Sequence, residues 1–408
     1  MLTNNFNFSD DISKPFVLKR IESVCLKLQH RQIVGSHSTA LETIKLLREI
    51  IANAKFSSFD QLSSHLTEVG KLLFQVAPKE YAIENMVKRV NILLKEEYAS
   101  ALDSHLDSRI NERTDEPRLN RFLTSSSSHS STPGSNMMIE ESILKLLGQT
   151  LIDPKPKEDK DHNESDRLNH ERDFSSKSFN LKPIFIEAVQ ELYDELELVR
   201  EGVAAQAAEH IHSGEVIMTC DNSRTVKSFL RSAAKSKRTF TVMVSETSPT
   251  FSGIDLARSL NNSNPPISTL VVSDSSTFGL MSRCTKLIIG CHIVFADGSI
   301  LARSGSLGLA LAAKAHLVPV VVVCGMYKFS DVYPRAGQDW SMMDMKNPDE
   351  VLLTSEIESD GIEDGKIEVL NPYYDRVPAD LINLFITNLG GHPSSFVYRL
   401  LKDLYGSA

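Results

Sequence analysis

The sequence has no excess of positive charge. Its 44 Lys and Arg residues are outnumbered by 53 Asp and Glu residues, which gives a formal net charge of −9. Proteins dedicated to nucleic-acid binding usually carry a basic face. The composition therefore predicts a protein that does not bind nucleic acid directly, while leaving room for one local basic patch.

The sequence also lacks paired cysteines, a leader segment and a long apolar run. Its five cysteines form no CxxC motif and no cluster with the ligand spacing of a metal site. The first residues, MLTNNFNFSDD, are polar and acidic, unlike a signal or transit peptide. No apolar run approaches the length that crosses a bilayer. These absences predict a cytosolic protein with reduced thiols, no membrane contact and no bound metal or cofactor.

What is present suits a globular protein of more than one domain. The 408 residues are 41% hydrophobic and 24% charged, which is ordinary for a soluble chain with substantial cores. Over residues 1–110 apolar residues recur at helical spacing, and this pattern predicts an N-terminal helical domain. Ser58 with Gln61, and Thr39 with Glu42, each fit the capping box that begins a helix.

Residues 111–180 differ in composition from both flanks. They contain TSSSSHSSTPGS and the charged run DPKPKEDKDHNESDRLNHERD. Apart from MMIEESILKLLGQTLI, the segment has too few apolar residues to offset the entropy lost on ordering. We predict a mostly disordered insertion, and phosphorylation of its serines is left open.

A long connecting helix is predicted over residues 181–213. It starts at Pro183, a residue favoured in the first turn of a helix. Its apolar residues recur at spacings of four and three, as in a helix that packs along one face. They are Phe185, Val189, Leu192, Leu196, Val199 and Val203.

Over residues 214–408 β-rich and helical segments alternate. The β-rich ones are VIMTC, TFTVMVSE, STLVVSD, KLIIGCHIVFA and VPVVVVCG. Such alternation predicts a parallel sheet with helices on both faces. The predicted fold class is therefore α/β, with an N-terminal helical domain joined by a long helix to a Rossmann-like C-terminal domain. DLINLFITNLG and SSFVYRLLKDLY are predicted to form two closing helices.

The segment from residue 286 to 325 contains the turns that shape a ligand crevice. Asp297-Gly298 is a tight-turn dipeptide between two extended runs. Gly305 and Ser306 then open a helix, with Ser306 as its predicted N-cap. We expect Gly305 to need a positive φ, and Gly308 to let the helix approach the sheet closely.

Polar and titratable residues follow several of the predicted strands at the edge where such crevices form. Cys220 ends the first strand, where a helix N-terminus and Arg224 can activate a thiol, although a half-buried structural cysteine is the simpler interpretation. His292 has no partner identifiable from sequence, which favours a hydrogen-bonded strand-end histidine over an acid or base. The other candidate crevice residues are Asp221, Ser223, Glu246, Asp274, Asp297, Arg303, Asn371 and Asp375, with Gly298 as a turn residue.

Five segments, in order, resemble one protein family. They are HIHSGEVIMTCDNSRTV, TFTVMVSETSP, STLVVSD, KLIIGCHIVFADGSILARSGSLGLALAAK and NPYYDRVPADLINLFITNLGG. That family contains isomerases of methylthioribose 1-phosphate and ribose 1,5-bisphosphate, and the alpha, beta and delta regulatory subunits of translation initiation factor 2B. The ending GGHPSSFVYRLLKDLY and the segment EVIMTCDNSRTVKSFL are similar to the beta branch.

The resemblance implies a catalytic pair that is incomplete in this chain. The catalytic Cys of the isomerases falls on Cys220, but His292 stands where they have a catalytic Asp. The segment ETSP at 246–249 lacks an arginine found in the isomerases, and their Asn-Lys turn appears here with Arg303. Aldose–ketose isomerisation needs a group that moves a proton between neighbouring carbons. The resemblance therefore implies a degenerate pocket without enzyme activity.

The function implied by the resemblance is that of a non-catalytic regulatory subunit. It would belong to the initiation factor 2B complex, which exchanges guanine nucleotide on initiation factor 2. The implied partners are the delta subunit as the nearest one, the alpha, gamma and epsilon subunits, and the alpha subunit of initiation factor 2, whose phosphorylation the complex senses. Two alternatives stay open: a sugar-phosphate isomerase that uses Cys220 and His292, and a metabolite sensor that binds in the crevice without turnover.

Overall fold

The computed structural model describes most of the chain, namely residues 15–54, 56, 58–114, 178–334, 344–353 and 367–406. The predicted insertion, including MMIEESILKLLGQTLI, lies almost entirely outside the described residues. One compact unit comprises Met1–Tyr98 with Ser178–Ala408, and a second comprises Ala99–Lys177. The boundaries of the four predicted segments stay predictions.

Four helices form the N-terminal part of the structure: α1 (Pro15–Gln29), α2 (Ser36–Asn53), α3 (Phe59–Val76) and α4 (Tyr81–Thr114). Ser58 caps α3 by accepting a hydrogen bond from the backbone N–H of Gln61 at 3.4 Å, so the N-cap of this predicted capping box is confirmed. The box predicted at Thr39 is wrong. Helix α2 already begins at Ser36, behind a glycine, and Thr39 lies within it.

The connecting helix is α5 (Lys182–Ala205), and a single turn, α6 (Ala207–His210), follows it. Pro183 lies in the first turn of α5, and all six residues of the predicted seam are buried. This face packs against α2 and against the first helix of the α/β part. The prediction of a long helix buried along one side is confirmed.

The strands and helices that follow alternate as predicted. In chain order they are β1 (Val216–Thr219), α7 (Arg224–Lys235), β2 (Thr241–Ser245), α8 (Ser252–Asn261), β3 (Ser268–Val272), α9 (Thr277–Met281), β4 (Lys286–Gly290), β5 (Ile293–Val294), β6 (Ile300–Arg303), α10 (Ser306–Ala315), β7 (Val320–Val323), β8 (Tyr374–Val377), β9 (Leu384–Thr387), β10 (Gly390–His392) and α11 (Val397–Tyr405).

These strands form two sheets. The larger sheet has the order β10-β9-β7-β4-β1-β2-β3, with every neighbouring pair parallel except β9 and β10. The smaller one is the antiparallel sheet β5-β6-β8. A parallel sheet with connecting helices confirms the predicted α/β fold class.

Successive side chains of a strand point to opposite faces of the larger sheet, and its central strands β1, β4 and β7 are buried on both faces. Ile217 and Ile288 belong to an apolar cluster that also contains the N-terminal helices, α5, α7 and α8. Met218 and Leu287, one position away, belong to a second cluster with α9, α10 and α11. Each face of the sheet therefore has its own layer of helices, as in other parallel sheets.

The first of the two predicted closing helices is wrong. LFIT is strand β9, where Phe385 and Ile386 are fully buried, and it pairs with β7 along Val321–Val323. Strand β10 begins at Gly390, whose φ of 120° favours glycine. The second prediction is confirmed, since SSFVYRLLKDLY contains α11. In the part of the chain described, no helix combines the length and the apolar character needed to cross a membrane.

Candidate functional site

The order of the strands creates a crevice at the carboxyl ends of β1 and β4. The chain continues from β1 to β2 and β3 on one side, whereas β4 pairs with β1 on the other side. Ligands of open α/β sheets bind at such a switch point. We define the crevice by the residues that follow these strands and by the start of α10.

Cys220 follows β1, is almost fully buried, and lies with its Sγ 3.6 Å from the Oγ of Ser306 in α10. Burial, reinforced by the carboxylates of Asp221, Asp274 and Asp375, raises the pKa of the Cys220 thiol to about 12. A thiol with this pKa stays protonated at neutral pH, and the thiolate is the nucleophilic form. The position that the sequence marked as a candidate nucleophile is therefore an unactivated thiol.

Arg224 does not contact this thiol, in line with the simpler interpretation of Cys220 as a structural cysteine. Its guanidinium extends toward α2 instead, where Nη2 donates to the hydroxyl of Ser38 at 3.3 Å. Ser223 caps α7 by accepting a hydrogen bond from the backbone N–H of Val226 at 3.5 Å. Both residues therefore position α7 rather than the sulfur.

Asp221 and Arg303 face each other across the crevice. The Oδ1 of Asp221 lies 3.7 Å from the Nε of Arg303 and accepts a hydrogen bond from the hydroxyl of Ser252 at 2.6 Å. The guanidinium of Arg303 also stacks on the ring of Tyr373, with Cζ 3.9 Å from the centroid. The cation that could hold a substrate anion is thus already paired within the protein.

The N-terminus of α10 is occupied by Asp375. Its Oδ2 accepts a hydrogen bond from the backbone N–H of Gly305 at 2.6 Å and a longer one from Leu307 at 3.4 Å. The start of a helix commonly binds a phosphate through such N–H groups. In this protein a carboxylate of the chain itself fills that place.

The turn at the start of α10 agrees only in part with the prediction. Gly305 has a φ of 96°, so the expected positive φ is confirmed. Gly305 is also the N-cap residue, whereas Ser306 was predicted to be, and Ser306 is the first residue of the helix. The close approach expected at Gly308 is wrong, because a Cβ added there would meet no heavy atom within 4 Å.

Asp274 and Glu246 stabilise the loop that follows β2. The carboxylate of Asp274 accepts hydrogen bonds from the backbone N–H groups of Thr247 at 3.1 Å and Ser248 at 2.7 Å, and from the hydroxyl of Ser245. Glu246 in turn accepts from the backbone N–H of Asp274 at 3.4 Å. Their hydrogen-bonding capacity is used to shape the rim of the crevice.

Asp297 and Asn371 also have structural partners. Asp297 accepts from the backbone N–H of Ser299 at 2.8 Å and forms an ion pair with Arg376 at 2.9 Å, while Gly298 has a φ of 79°. These are the contacts of a tight turn. The side chain of Asn371 donates to the backbone oxygen of Asn347 at 3.0 Å.

His292 is buried and makes its contacts with the N-terminal helical part and with β8. Its Nε2 lies 3.3 Å from the backbone oxygen of Lys79, so Nε2 carries the donated proton. The hydroxyl of Ser36 donates to the backbone oxygen of His292 at 2.9 Å. The hydroxyls of Ser36 and Tyr374 lie 2.9 and 3.2 Å from Nδ1, and either can donate to that nitrogen.

The charge state of His292 is set by burial. Burial and the nearby charge of Lys328 lower the pKa of His292 to about 4, so the imidazole is neutral at physiological pH. The Oε2 of Glu80 lies 3.7 Å from Nε2. Burial, helped by the charge of Asp344, raises the pKa of Glu80 to about 7.

The sequence analysis missed Ser36, Glu80 and Tyr374 as neighbours of His292. These residues lie in three separate segments, and no local motif connects them. They come together only when the chain folds. Among the described residues, Cys220 and His292 have no hydrogen-bond partner in common, since Cys220 contacts Ser306 and His292 contacts the helical part. The geometry therefore does not assemble a nucleophile with a base.

Comparison with known sequences gives one consistent result. The sequence profile of the Initiation factor 2 subunit family matches residues 32–394. "Translation initiation factor eIF2B subunit beta" of Schizosaccharomyces pombe (strain 972 / ATCC 24843) is 33% identical over 405 residues, which are 95% of this chain and 96% of the relative. The protein of the same name from Dictyostelium discoideum is 36% identical over 384 residues, 94% of each chain.

Solved structures share the fold. The beta subunit of eIF2B from Chaetomium thermophilum has a TM-score of 0.64 at 24% identity, over 95% of this chain and 92% of that one. A chain of the tetrameric eIF2B beta2-delta2 complex from the same organism has a TM-score of 0.60 at 23% identity, over 95% of both chains. The 5-methylthioribose 1-phosphate isomerase of Pyrococcus horikoshii OT3 has a TM-score of 0.52 at 15% identity, over 94% of this chain and 87% of that one.

The structural likenesses establish the fold, and the sequence comparisons go further. A family profile that spans 32–394 and two relatives above 30% identity over nearly their whole length agree with each other. They also agree with the five segments on which the resemblance in the sequence rests. This chain belongs to the Initiation factor 2 subunit family.

Proposed function

We propose that this chain is a non-catalytic regulatory subunit of the cytosolic complex that exchanges guanine nucleotide on translation initiation factor 2. The observation that carries the proposal is that a side chain of the protein already occupies the anion-binding end of α10 in the crevice. Asp375 fills the helix N-terminus that would bind a phosphate, at 2.6 Å from the backbone N–H of Gly305. The fold of an enzyme family is thereby used as a scaffold.

Two further features of the crevice support the absence of catalysis. The raised pKa of Cys220 removes the nucleophile, because the thiol stays protonated. His292, with its pKa lowered to about 4, has its ring nitrogens hydrogen-bonded to Lys79 and Tyr374. An isomerase needs a group that is free to accept and return a proton.

The names of the relatives support the assembly. Both curated relatives are named as subunit beta of the factor, and one structural relative belongs to a tetramer of two beta and two delta chains. By analogy, a delta-type subunit is the nearest partner of this chain. The alpha, gamma and epsilon subunits and the alpha subunit of initiation factor 2 complete the proposed set.

A candidate surface for the delta-type partner lies at the open edge of the larger sheet. Strand β3 ends the strand order and exposes Leu270 and Val271 to 50% and 49%. Phe278, on the neighbouring α9, is 57% exposed. An edge strand has unpaired backbone groups, and exposed apolar side chains beside it favour association with another chain.

In such an assembly this chain acts by differential binding. Phosphorylation of the alpha subunit of initiation factor 2 adds charge and hydrogen-bond acceptors to the bound partner. A charge that is tolerated in one docking arrangement and not in another shifts the population between the two. The regulatory subunits supply the surface on which that choice is made, and other subunits catalyse the exchange.

Native mass spectrometry of the tagged endogenous protein tests the proposal. We expect a hetero-oligomer that contains a delta-type chain and accelerates GDP release from initiation factor 2. The same preparation is incubated with methylthioribose 1-phosphate and ribose 1,5-bisphosphate. Turnover of either substrate that disappears in Cys220→Ser would show an enzyme instead, and a protein isolated without partners would contradict the assembly.

A further inference from the structure

Three cations lie close together where α2, α5 and α7 meet. Arg200 lies on α5, and Arg224 and Lys227 lie on the first turn of α7. We term these three residues the basic cluster. Burial, followed by the charges of Arg231, Arg224 and Arg200, lowers the pKa of Lys227. The cations are thus near enough to repel one another, in a protein whose formal net charge is −9.

No carboxylate neutralises the basic cluster within the described part of the chain. Arg224 reaches a neutral hydroxyl, that of Ser38, at 3.3 Å. Glu197, one turn before Arg200 on α5, accepts a hydrogen bond from the Tyr193 hydroxyl at 2.6 Å. Neighbouring Arg231 is used elsewhere, since it donates to the backbone oxygen of Ser259 at 2.8 Å. The repulsion inside the basic cluster is therefore uncompensated.

A small cavity opens between Arg200 and Arg224, and Lys227 lies outside its lining. It has a volume of about 40 Å³ and is lined by Arg200, Arg224, His37, Thr225 and Tyr327. Since one water-sized group needs roughly 10–15 Å³ of such volume, the cavity holds about three of them. At the inner wall of the cavity Gly325 packs closely against Val199. A Cβ added to Gly325 would lie only 2.4 Å from the Val199 side chain, so this wall is closed.

The donors around this cavity match a tetrahedral oxyanion. Guanidinium groups bind phosphate oxygens through pairs of parallel N–H groups. Thr225, which also lines the cavity, carries a neutral hydroxyl. His37 is held in place by a hydrogen bond between its Nε2 and the backbone oxygen of Leu196 at 3.1 Å. The cavity is too small for a peptide backbone.

We propose that the basic cluster and this cavity bind one phosphoryl group of a small phosphate ester. Arg224 is exposed, so the remainder of the ester lies outside the cavity in solvent. The site differs from the crevice between β1 and β4, where Asp375 already fills the helix N-terminus. Binding of the dianion relieves the repulsion within the basic cluster and stabilises the junction of α2, α5 and α7.

Isothermal titration of the full chain, in the assembly in which it is purified, tests the proposal. The probes are inorganic phosphate and glycerol 1-phosphate, with chloride adjusted to keep the ionic strength constant. Arg200→Gln and Arg224→Gln, which alter the two cations that line the cavity, are expected to weaken binding of both probes about tenfold, as the loss of a charge-assisted contact does. The matched control is Lys235→Gln, which removes an exposed charge from the last turn of the same helix.

Thermal unfolding gives a second readout that separates binding from misfolding. Arg200→Gln removes repulsion, so its unfolding midpoint without phosphate should equal or exceed that of the parent protein. Phosphate should raise the midpoint of the parent and of Lys235→Gln, and leave that of Arg200→Gln unchanged. Equal binding by Arg200→Gln and Lys235→Gln would mean an adventitious ion only. That result, or the absence of saturable binding, overturns the proposal, and neither depends on whether the chain assembles with a delta-type partner.

Discussion

Glu80 and His292 lie side by side with Oε2 and Nε2 3.7 Å apart, yet they do not form an ion pair. Burial raises the pKa of the carboxyl to about 7 and lowers that of the imidazole to about 4. The order of their pKa values is thereby reversed relative to exposed groups. Between these two pH values both groups are mostly neutral.

This reversal predicts opposite pH dependences for two single variants. In Glu80→Gln the remaining group is His292, whose pKa is lowered in the folded chain. The unfolded chain therefore binds more protons than the folded chain, and the free energy of unfolding should rise with pH up to about 6.5. In His292→Gln the remaining group is Glu80, whose pKa is raised in the folded chain. The folded chain therefore binds more protons than the unfolded chain, and the free energy of unfolding should fall as pH rises from about 4.5 to 7. In each variant the free energy of unfolding should change by about 2 kcal/mol between pH 5 and 7.

Urea unfolding of the purified protein at several pH values measures how the free energy of unfolding of each variant depends on pH. In the parent protein the two contributions largely cancel, so its stability should vary little over the same range. His30→Gln, at an exposed position, serves as the control. Slopes of the same sign in Glu80→Gln and His292→Gln would show that the two groups are not held neutral by burial.

Gly305 and Gly308 should respond differently to the same substitution. Gly305→Ala places a Cβ on a residue with a φ of 96°, which should cost about 1–2 kcal/mol. Gly308→Ala adds a Cβ in open space within α10, which should stabilise the helix by up to about 1 kcal/mol. Chemical denaturation of both variants checks this difference. Equal losses would place a hidden constraint at Gly308.

Cys220 should be dispensable for nucleotide exchange. The thiol is buried and protonated, and its polar contact is with the hydroxyl of Ser306 at 3.6 Å. Cys220→Ser and Cys220→Ala should leave the rate of GDP release from initiation factor 2 by the whole complex within about twofold of the parent rate. A large loss of exchange in a variant that still assembles would assign the thiol a role beyond packing.

The exposed edge of the larger sheet should be needed for assembly. Leu270→Glu places a charge on β3, where the parent side chain is 50% exposed, and burying a charge in an interface is costly. We expect the affinity for the delta-type partner to fall at least about tenfold, as at other interface centres. Leu198→Glu alters a residue on α5 that is 59% exposed and serves as the matched control. Size-exclusion chromatography with light scattering distinguishes the two variants.

The insertion should be dispensable for assembly. Its composition offers little to an apolar core, and the cost of closing a loop depends only weakly on its length. We expect that replacing residues 115–177 with a flexible Gly/Ser linker leaves the complex intact. Co-purification of the partner chains is the measurement. Loss of the partners would show that MMIEESILKLLGQTLI contributes to the body of the protein.

Local signals in the sequence predicted the elements that depend on local interactions. RTVKSFLRSAAK is α7 from its first residue to its last, because Ser223 caps it and its apolar face repeats regularly. LFIT carries no such signal. Its four residues fit a helix or a strand, and pairing with β7 decides between them.

The candidate site was predictable only where neighbouring strands bring residues together. The place of Cys220 near the start of α10 follows from the parallel sheet. The surroundings of His292 do not, since Ser36 and Lys79 lie 256 and 213 residues away in the chain. Asp375 was predicted as a crevice residue, but its role as an internal anion depends on the exact register of β8 with β6.

The apolar cluster shared by the N-terminal helices and one face of the sheet has a consequence for synthesis on the ribosome. Ile44 of α2 and Leu66 of α3 belong to the same cluster as Ile288 and Val321 of the sheet. The helices leave the ribosome first, and their apolar faces then have no sheet to pack against. A nascent chain that stops before β7 therefore carries an uncovered apolar surface, so completion of this core has to wait until most of the polypeptide has been translated.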